Sequence, residues 1–227
     1  MPAIAFMEEE REAVAGRPAL AFYRCVDVLL AFGCLLLTAP LMLVICLAVR
    51  LDSEGKAIFT QVRLGRDKQP FTLHKFRTMR VEADARVHRE YVRELLGGDE
   101  RAHANGNGRD LYKLAADDRV TRVGRVLRES SLDELPQLFD VLRGQMSLVG
   151  PRPVIPYEAE LYPPRYDRRF AVKPGLTGLW QVSGRNERTY REMVALDLRW
   201  VERRSVALYV SILLRTPWVL LTRRGVA

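Results

Sequence analysis

The chain has 227 residues, 48% of them apolar and 28% charged, which is enough for a real core and excludes a globally disordered chain. Its formal charge of +8 points to an anionic partner, whether nucleic acid, acidic lipid headgroups or a phosphorylated substrate. Three cysteines without a C-x-x-C pair (Cys25, Cys34, Cys46) and three scattered histidines (His74, His88, His103) argue against a disulfide frame and a transition-metal cluster. The first predicted element is Val28 to Val49, VLLAFGCLLLTAPLMLVICLAV, 22 residues without a charge and long enough to cross a bilayer. It is a poor signal peptide, because a long segment containing Glu8, Glu9, Glu10 and Glu12 precedes it. Pro40 removes a backbone hydrogen bond just past the middle, so a kink or break is expected there, with Thr38 placed to rebond a freed carbonyl. Arg11, Arg17 and Arg24 precede the run and Arg50, Lys56, Arg63 and Arg66 follow it. The positive-inside rule puts both flanks in the cytoplasm, which favours a re-entrant helix hairpin broken at Pro40 over a straight single pass.

After the run, AIFTQVRLG and FTLHKFRTM read as β segments joined by the turn-forming RDKQP. Val81 to Leu96 has the spacing of a solvated helix, and Gly97 to Asp110 the composition of a loop. Arg119 to Glu129, RVTRVGRVLRE, is amphipathic: Val120, Val123 and Leu127 form its apolar stripe, and Arg122, Arg125 and Arg128 a broad basic face. In SLVGPRPVIP, Pro151 and Pro153 bracket Arg152 and stiffen the backbone, either as a plain connector or to fix a guanidinium for a phosphate. KPGLTGLWQVSGR is a turn, a strand-like piece and a Gly-Arg turn, whose Arg185 is a candidate anion contact. Tyr190 to Glu202 has helical spacing. The last apolar stretch, VALYVSILLRTPWVLLTRR, is interrupted by Arg215 and Pro217. It suits an interfacial helix with Trp218 at headgroup depth and Arg223 and Arg224 near anionic lipid, the alternative being a helix packed in the core.

The chemistry concentrates at SLDELPQL, Ser131 to Leu138, where Asp133 and Glu134 are adjacent. Ser131 and Glu134 match a capping box. Pro136 would then fall inside the helix and cost a hydrogen bond, whereas Asp133 as the cap puts Pro136 in the first turn, where proline is tolerated. On that second reading Asp133 stands at an anion-favouring helix N-terminus, with Arg128 and Arg152 as further positive charge for a diphosphate. A carboxylate so placed can attack phosphorus to give an acyl phosphate. A reacting diphosphate calls for Mg²⁺, and Asp133 and Glu134 are suitable ligands.

KFRTM, RVTRVGRVLRESSLDELPQLFDVLRGQMSLVGPRP, KPGLTGLWQVSGR and the helix around LDLRWV, in that order, resemble the bacterial sugar transferase family of monotopic phosphoglycosyl transferases. The resemblance runs from about Tyr23 to the C-terminus and is to the short form, similar to the undecaprenyl-phosphate galactose or glucose phosphotransferases of exopolysaccharide synthesis. It implies transfer of a sugar 1-phosphate from a UDP-sugar to polyprenyl phosphate with release of UMP, at the cytoplasmic face of the bacterial inner membrane and in contact with its lipid. It implies that Asp133 is the nucleophile, that Glu134 assists in proton transfer or metal organisation, and that Arg128 and Arg152 bind phosphate; Lys75 of KFR and Asp197 of the LD pair match further motif positions. Where the family often has Ser-Pro at the membrane break, this chain has Ala39-Pro40, with Thr38 in place to supply the hydroxyl.

The expected fold is α+β and mainly helical: a cytosolic segment over 1–22, a re-entrant membrane helix over 23–50, and a catalytic domain with short strands and interfacial helices over 51–227. A homodimer is compatible with the sequence, and no motif encodes the sugar. The competing reading is a membrane-anchored basic protein that binds anionic lipid or nucleic acid without catalysis. Nothing resembling a helix-turn-helix or an aromatic-basic stripe supports nucleic acid as a partner.

Overall fold

A computed structural model of the chain describes residues 17–80, 90, 93, 119–185 and 188–222. The helix expected from Val81, Glu90 and Arg93 apart, the loop from Gly97, most of the N-terminal segment, and Arg223 and Arg224 lie outside the described residues.

A 36-residue helix, α1 (Arg17–Asp52), comes first. It is helical through Pro40, so the break expected there is not a break in helical structure. Proline takes away the N–H that would reach the Leu36 carbonyl. The Thr38 hydroxyl does not compensate, because a helical threonine reaches its own i−4 carbonyl: it donates to Cys34 at 2.7 Å. One stripe of α1 is buried, carrying Tyr23, Asp27, Ala31 and Leu35 in the first half and Ile45 and Val49 in the second. The rest of its apolar surface faces outward, with Leu36, Leu37 and Leu43 at 71%, 82% and 73% exposure. Only 17% of its most apolar stretch is buried, unlike the core helix of a soluble domain, so α1 is suited to a membrane.

Strands β1 (Ile58–Leu64) and β2 (Pro70–Phe76) form an antiparallel hairpin, as the sequence predicts, with Phe59 opposite Lys75 and Arg63 opposite Phe71. Helix α2 (Arg122–Ser130) is capped by Thr121, whose hydroxyl accepts from the Gly124 N–H at 3.0 Å. A short turn, Leu132–Glu134, leads to α3 (Gln137–Leu142) and then β3 (Ser147–Val149). The small helix α4 (Pro156–Ala159) and a 3-10 stretch, Pro164–Ala171, connect to β4 (Gly175–Thr177), which pairs parallel to β3. Here the SLVGPRP and KPGLTG segments meet: Gly150 N–H donates to the Thr177 carbonyl at 2.9 Å and Gly175 N–H to the Pro151 carbonyl at 2.8 Å. A Cβ on Gly150 would stand 2.6 Å from the Lys173 carbonyl oxygen, so only glycine permits this approach. Helix α5 (Tyr190–Arg203) starts with a true capping box between Thr189 and Glu192.

The last helix, α6 (Val206–Thr222), satisfies part of each sequence reading. Tyr209 and Ile212 are buried in the main core with Tyr23, Ala31, Leu35, Val141 and Trp200, while Leu214, Trp218 and Leu221 are 75%, 66% and 80% exposed. Asp27 ties these layers together from inside the core, accepting from the Leu148 N–H at 2.7 Å, the Ser147 hydroxyl at 3.1 Å and the Tyr209 hydroxyl at 2.7 Å.

Candidate active site

The turn that carries Asp133 is shaped by the end of α2. Ser131 adopts a left-handed conformation (φ 57°, ψ 18°), and its N–H closes the helix on the Leu127 and Arg128 carbonyls. A residue in that conformation cannot act as an N-cap, which needs extended backbone, and its side chain makes no capping bond. The capping box read from Ser131 and Glu134 is therefore absent. The helix start assigned to Asp133 is also corrected: Asp133 and Glu134 lie within a 3-10 turn, and α3 begins after Pro136, whose missing N–H is harmless at that point. The positive charge around Asp133 comes from side chains.

Asp133 is 8% exposed, whereas Glu134 is half-buried. Lys75 of β2 feels the Asp133 carboxylate together with the guanidinium groups of Arg63, Arg128 and Arg152. Burial lowers the Lys75 pKa to about 8; Asp133 opposes the drop and the three arginines add to it. Lys75, Arg128 and Arg63 are each held in place. The Lys75 ammonium lies over the Phe59 ring, 5.5 Å from its centroid. Arg128 Nε donates to the Thr78 hydroxyl at 2.9 Å. Arg63 donates to the Pro153 carbonyl at 3.0 Å and to Gln61 Oε1 at 2.7 Å, so it also holds the loop that carries Arg152. Arg185 donates to the Ser131 hydroxyl at 3.3 Å, and Glu134 supports its charge against burial.

The structure thus brings Lys75, Arg128, Asp133 and Arg152 together, with Glu134 on the turn of Asp133 and Arg185 reaching it from the segment after Gln181–Ser183. Asp197 is placed differently. It is fully buried and accepts from Arg169 Nη2 at 2.6 Å and from the Arg152 backbone N–H at 3.3 Å. Burial raises its pKa to about 6, against the pull of Arg169 and Arg152. Arg169 in turn donates to the Tyr162 hydroxyl at 2.7 Å. Asp197 therefore stands behind the proline-bracketed loop and fixes its backbone.

Thr38 and Pro40 lie on α1, Thr38 part-buried and Pro40 exposed, and neither joins the cluster. Sequence reasoning missed Arg63 and Asp140. Strand alternation was the available signal for Arg63, since Phe59, Gln61 and Arg63 share the hairpin face of Lys75. Asp140 is wholly buried in α3 and accepts from the His74 backbone N–H at 3.0 Å; its other oxygen lies 2.7 Å from His74 Nδ1, which locks the residue next to Lys75.

The family model described as "Bacterial sugar transferase" matches residues 19–223, nearly the whole chain. The chain belongs to the bacterial sugar transferase family. It is 42% identical to the exopolysaccharide production protein ExoY of Rhizobium meliloti, over 96% of this chain and 93% of that protein. It is 41% identical over 208 residues to the UDP-glucose:undecaprenyl-phosphate glucose-1-phosphate transferase of Caulobacter vibrioides, across 88% of this chain and 69% of the relative. It is also 41% identical to the undecaprenyl-phosphate galactose phosphotransferase of Salmonella typhimurium, over 93% of this chain but only 43% of the longer relative.

Within this bacterial sugar transferase, the described residues contain no group of three or more His, Cys, Asp or Glu side chains that could hold a metal alone. A Mg²⁺ ion shared with a phosphorylated substrate needs only one or two protein carboxylates. Asp133 and Glu134 on one turn, beside a cluster of cations suited to phosphate, fit that requirement. A buried carboxylate in a cationic pocket can serve as a nucleophile, and the surrounding cations can hold the phosphates that bring phosphorus to it.

Proposed function

We propose that the chain is a phosphoglycosyl transferase that moves a sugar 1-phosphate from a UDP-sugar to polyprenyl phosphate and releases UMP, as the priming step of exopolysaccharide-type glycan synthesis. The observation that carries this reading is the buried Asp133 carboxylate acting on Lys75, an ammonium that also feels Arg63, Arg128 and Arg152. A carboxylate oxygen of Asp133 attacks the phosphorus bonded to the sugar. The bond from that phosphorus to the oxygen bridging to the uridine-bearing phosphate breaks, and UMP leaves with the bridging oxygen. A polyprenyl phosphate oxygen then attacks the phosphorus of the aspartyl phosphosugar, which frees the carboxylate and yields the lipid diphosphosugar. The cations hold the donor's phosphates in line for both displacements and stabilise the charge they develop. Asp133 and Glu134 would hold Mg²⁺, which when bound supplies further charge neutralisation at the leaving phosphate. Arg185, bonded to the Ser131 hydroxyl, puts a positive charge near Glu134.

Two of the relatives named above are, by name, a UDP-glucose:undecaprenyl-phosphate glucose-1-phosphate transferase and an undecaprenyl-phosphate galactose phosphotransferase, which is the basis for a UDP-sugar donor and an undecaprenyl-type acceptor here. The basic flanks of α1 and its outward apolar surface support a place at the cytoplasmic face of the inner membrane.

The test is UMP release across a panel of UDP-galactose, UDP-glucose and N-acetylated UDP-sugars, with polyprenyl phosphate and Mg²⁺. Asp133→Asn is expected to lose at least about a thousandfold in rate while remaining membrane-bound. A donor labelled in the phosphate next to the sugar is expected to leave label on wild-type protein and none on Asp133→Asn. Unchanged turnover in that variant would overturn the assignment.

A further inference from the structure

A second concentration of positive charge lies at the start of α1. A cavity opens there between the first turns of α1, the segment before β4, and the α5–α6 corner, lined by Arg24, Arg66, Lys173 and Arg204 with one carboxylate, Asp27. Asp27 accepts from three donors, from Ser147, Leu148 and Tyr209, and its single negative charge faces four cations. Arg24 is anchored by the Val141 and Leu142 carbonyls at 2.6 and 2.7 Å. Lys173 Nζ and Arg24 Nη2 stand 3.5 and 3.6 Å from the point where a Cβ on Gly144 would sit, which makes them near neighbours. The Lys173 ammonium makes no hydrogen bond or ion pair among the described residues. Burial lowers its pKa, and Arg24 and Arg66 lower it further, against Asp27.

A second observation points to a ligand. Tyr23 lines the same cavity and is 7% exposed, yet its hydroxyl has no hydrogen-bond partner among the described residues. An unsatisfied buried hydroxyl is costly. A hydroxyl donor beside several cations is the set that a phosphate group takes. The location narrows the source, because the cavity lies where the basic flank of α1 gives way to its outward apolar surface, and such a boundary suits a lipid headgroup.

We propose that this cavity is a second phosphate-binding site, which takes the headgroup phosphate of an anionic membrane phospholipid and is separate from the cluster around Asp133. The charges that act on Lys173 are those of Arg24, Arg66 and Asp27, and those that act on Lys75 are Asp133, Arg63, Arg128 and Arg152, with no member in common. The site does not depend on the transfer reaction.

The full chain in detergent, titrated with phosphatidylglycerol, phosphatidylcholine or inorganic phosphate and read by native mass spectrometry, tests it. Wild type is expected to retain phosphatidylglycerol in preference to phosphatidylcholine, and to hold inorganic phosphate far more weakly than the lipid. Lys173→Gln is expected to weaken phosphatidylglycerol retention about tenfold, Lys173→Arg to preserve it, and Tyr23→Phe, which keeps the ring in the core, to weaken it several-fold. Equal retention of the two lipids, or unchanged retention in both Lys173→Gln and Tyr23→Phe, overturns the site. Inorganic phosphate bound as tightly as the lipid overturns its assignment to the membrane.

Discussion

Lys75 illustrates how function and stability oppose each other at one residue. Its pKa is lowered from the ordinary lysine value of 10.5 to about 8, first by burial and then by three arginines. In the folded protein it is charged below pH 8 and neutral above. In the unfolded chain it stays charged to about 10.4. The lowered value means that the folded state binds this proton more weakly, so Lys75 opposes folding fully below pH 8 and progressively less as the pH rises toward 10.5. A bound diphosphate reverses the local balance, because it supplies the negative charge that Asp133 provides alone in the free protein. Two outcomes are expected. In UMP-release assays kcat/KM should fall as pH rises through about 8, while the corresponding fall in kcat should lie at higher pH, since bound phosphate raises the lysine pKa. Lys75→Met should lose most transfer yet keep its Tm or gain roughly a few degrees by calorimetry. Loss of Tm together with activity would make Lys75 a structural residue.

Among elements, the decisive contact is between α5 and the loop after β3, because it positions Arg152 from behind. Asp197 and Arg169 are each about 1% exposed at the side chain and pair at 2.6 Å. Removing one partner strands a buried charge. Asp197→Asn is expected to cost about 3–5 kcal/mol in urea unfolding, whereas Asp197→Leu with Arg169→Leu should recover much of that loss. The double variant should still transfer slowly, since leucine at 197 leaves the Arg152 N–H without its acceptor. Full recovery of activity along with stability would mean that Asp197 acts only through the core. This contact also marks the limit of sequence reading. The hairpin, α2 and α5 were legible because strand alternation and helical spacing are local, and Lys75, Arg128, Asp133 and Arg152 because short motifs carry them. Arg63 needs the hairpin register, Asp27 needs partners 120 to 182 residues away, and the β3–β4 pairing joins two motifs that each read as a turn. At Ser131 a local pattern misled: S-x-x-E fits a capping box, but the end of α2 forces a left-handed backbone that excludes it. The capping box that does form, Thr189 to Glu192, has the same spacing, and Thr189 has the extended backbone (φ −66°, ψ 160°) that a cap requires.

For the whole molecule the open question is how α1 meets the bilayer, and its two ends constrain the answer. At the first end, Arg24 bonds to the close of α3 and Asp27 to β3 and α6. At the other, Asp52 accepts from the Val123 N–H at 3.0 Å, and Arg77 donates to the Val49, Ser53 and Glu54 carbonyls. Both ends are therefore tied to one body of α2, α3 and the strands. A straight helix from Arg24 to Asp52 would be roughly 42 Å long. If it crossed a hydrocarbon core about 30 Å thick, its ends would lie in different compartments, and one domain could not bond to both. Between Leu35 and Ile45 no residue of α1 is buried, and Pro40 lies in the middle of that stretch. We therefore expect the central part of α1 to dip into the membrane and return, with the missing Pro40 hydrogen bond easing the bend. With Cys25, Cys34 and Cys46 replaced by alanine, single cysteines placed before Arg24 and after Arg50 should both resist a membrane-impermeant maleimide in intact cells and both react after lysis. Labelling of one but not the other in intact cells would establish a straight span and would require the bonds at one end of α1 to be absent in the membrane.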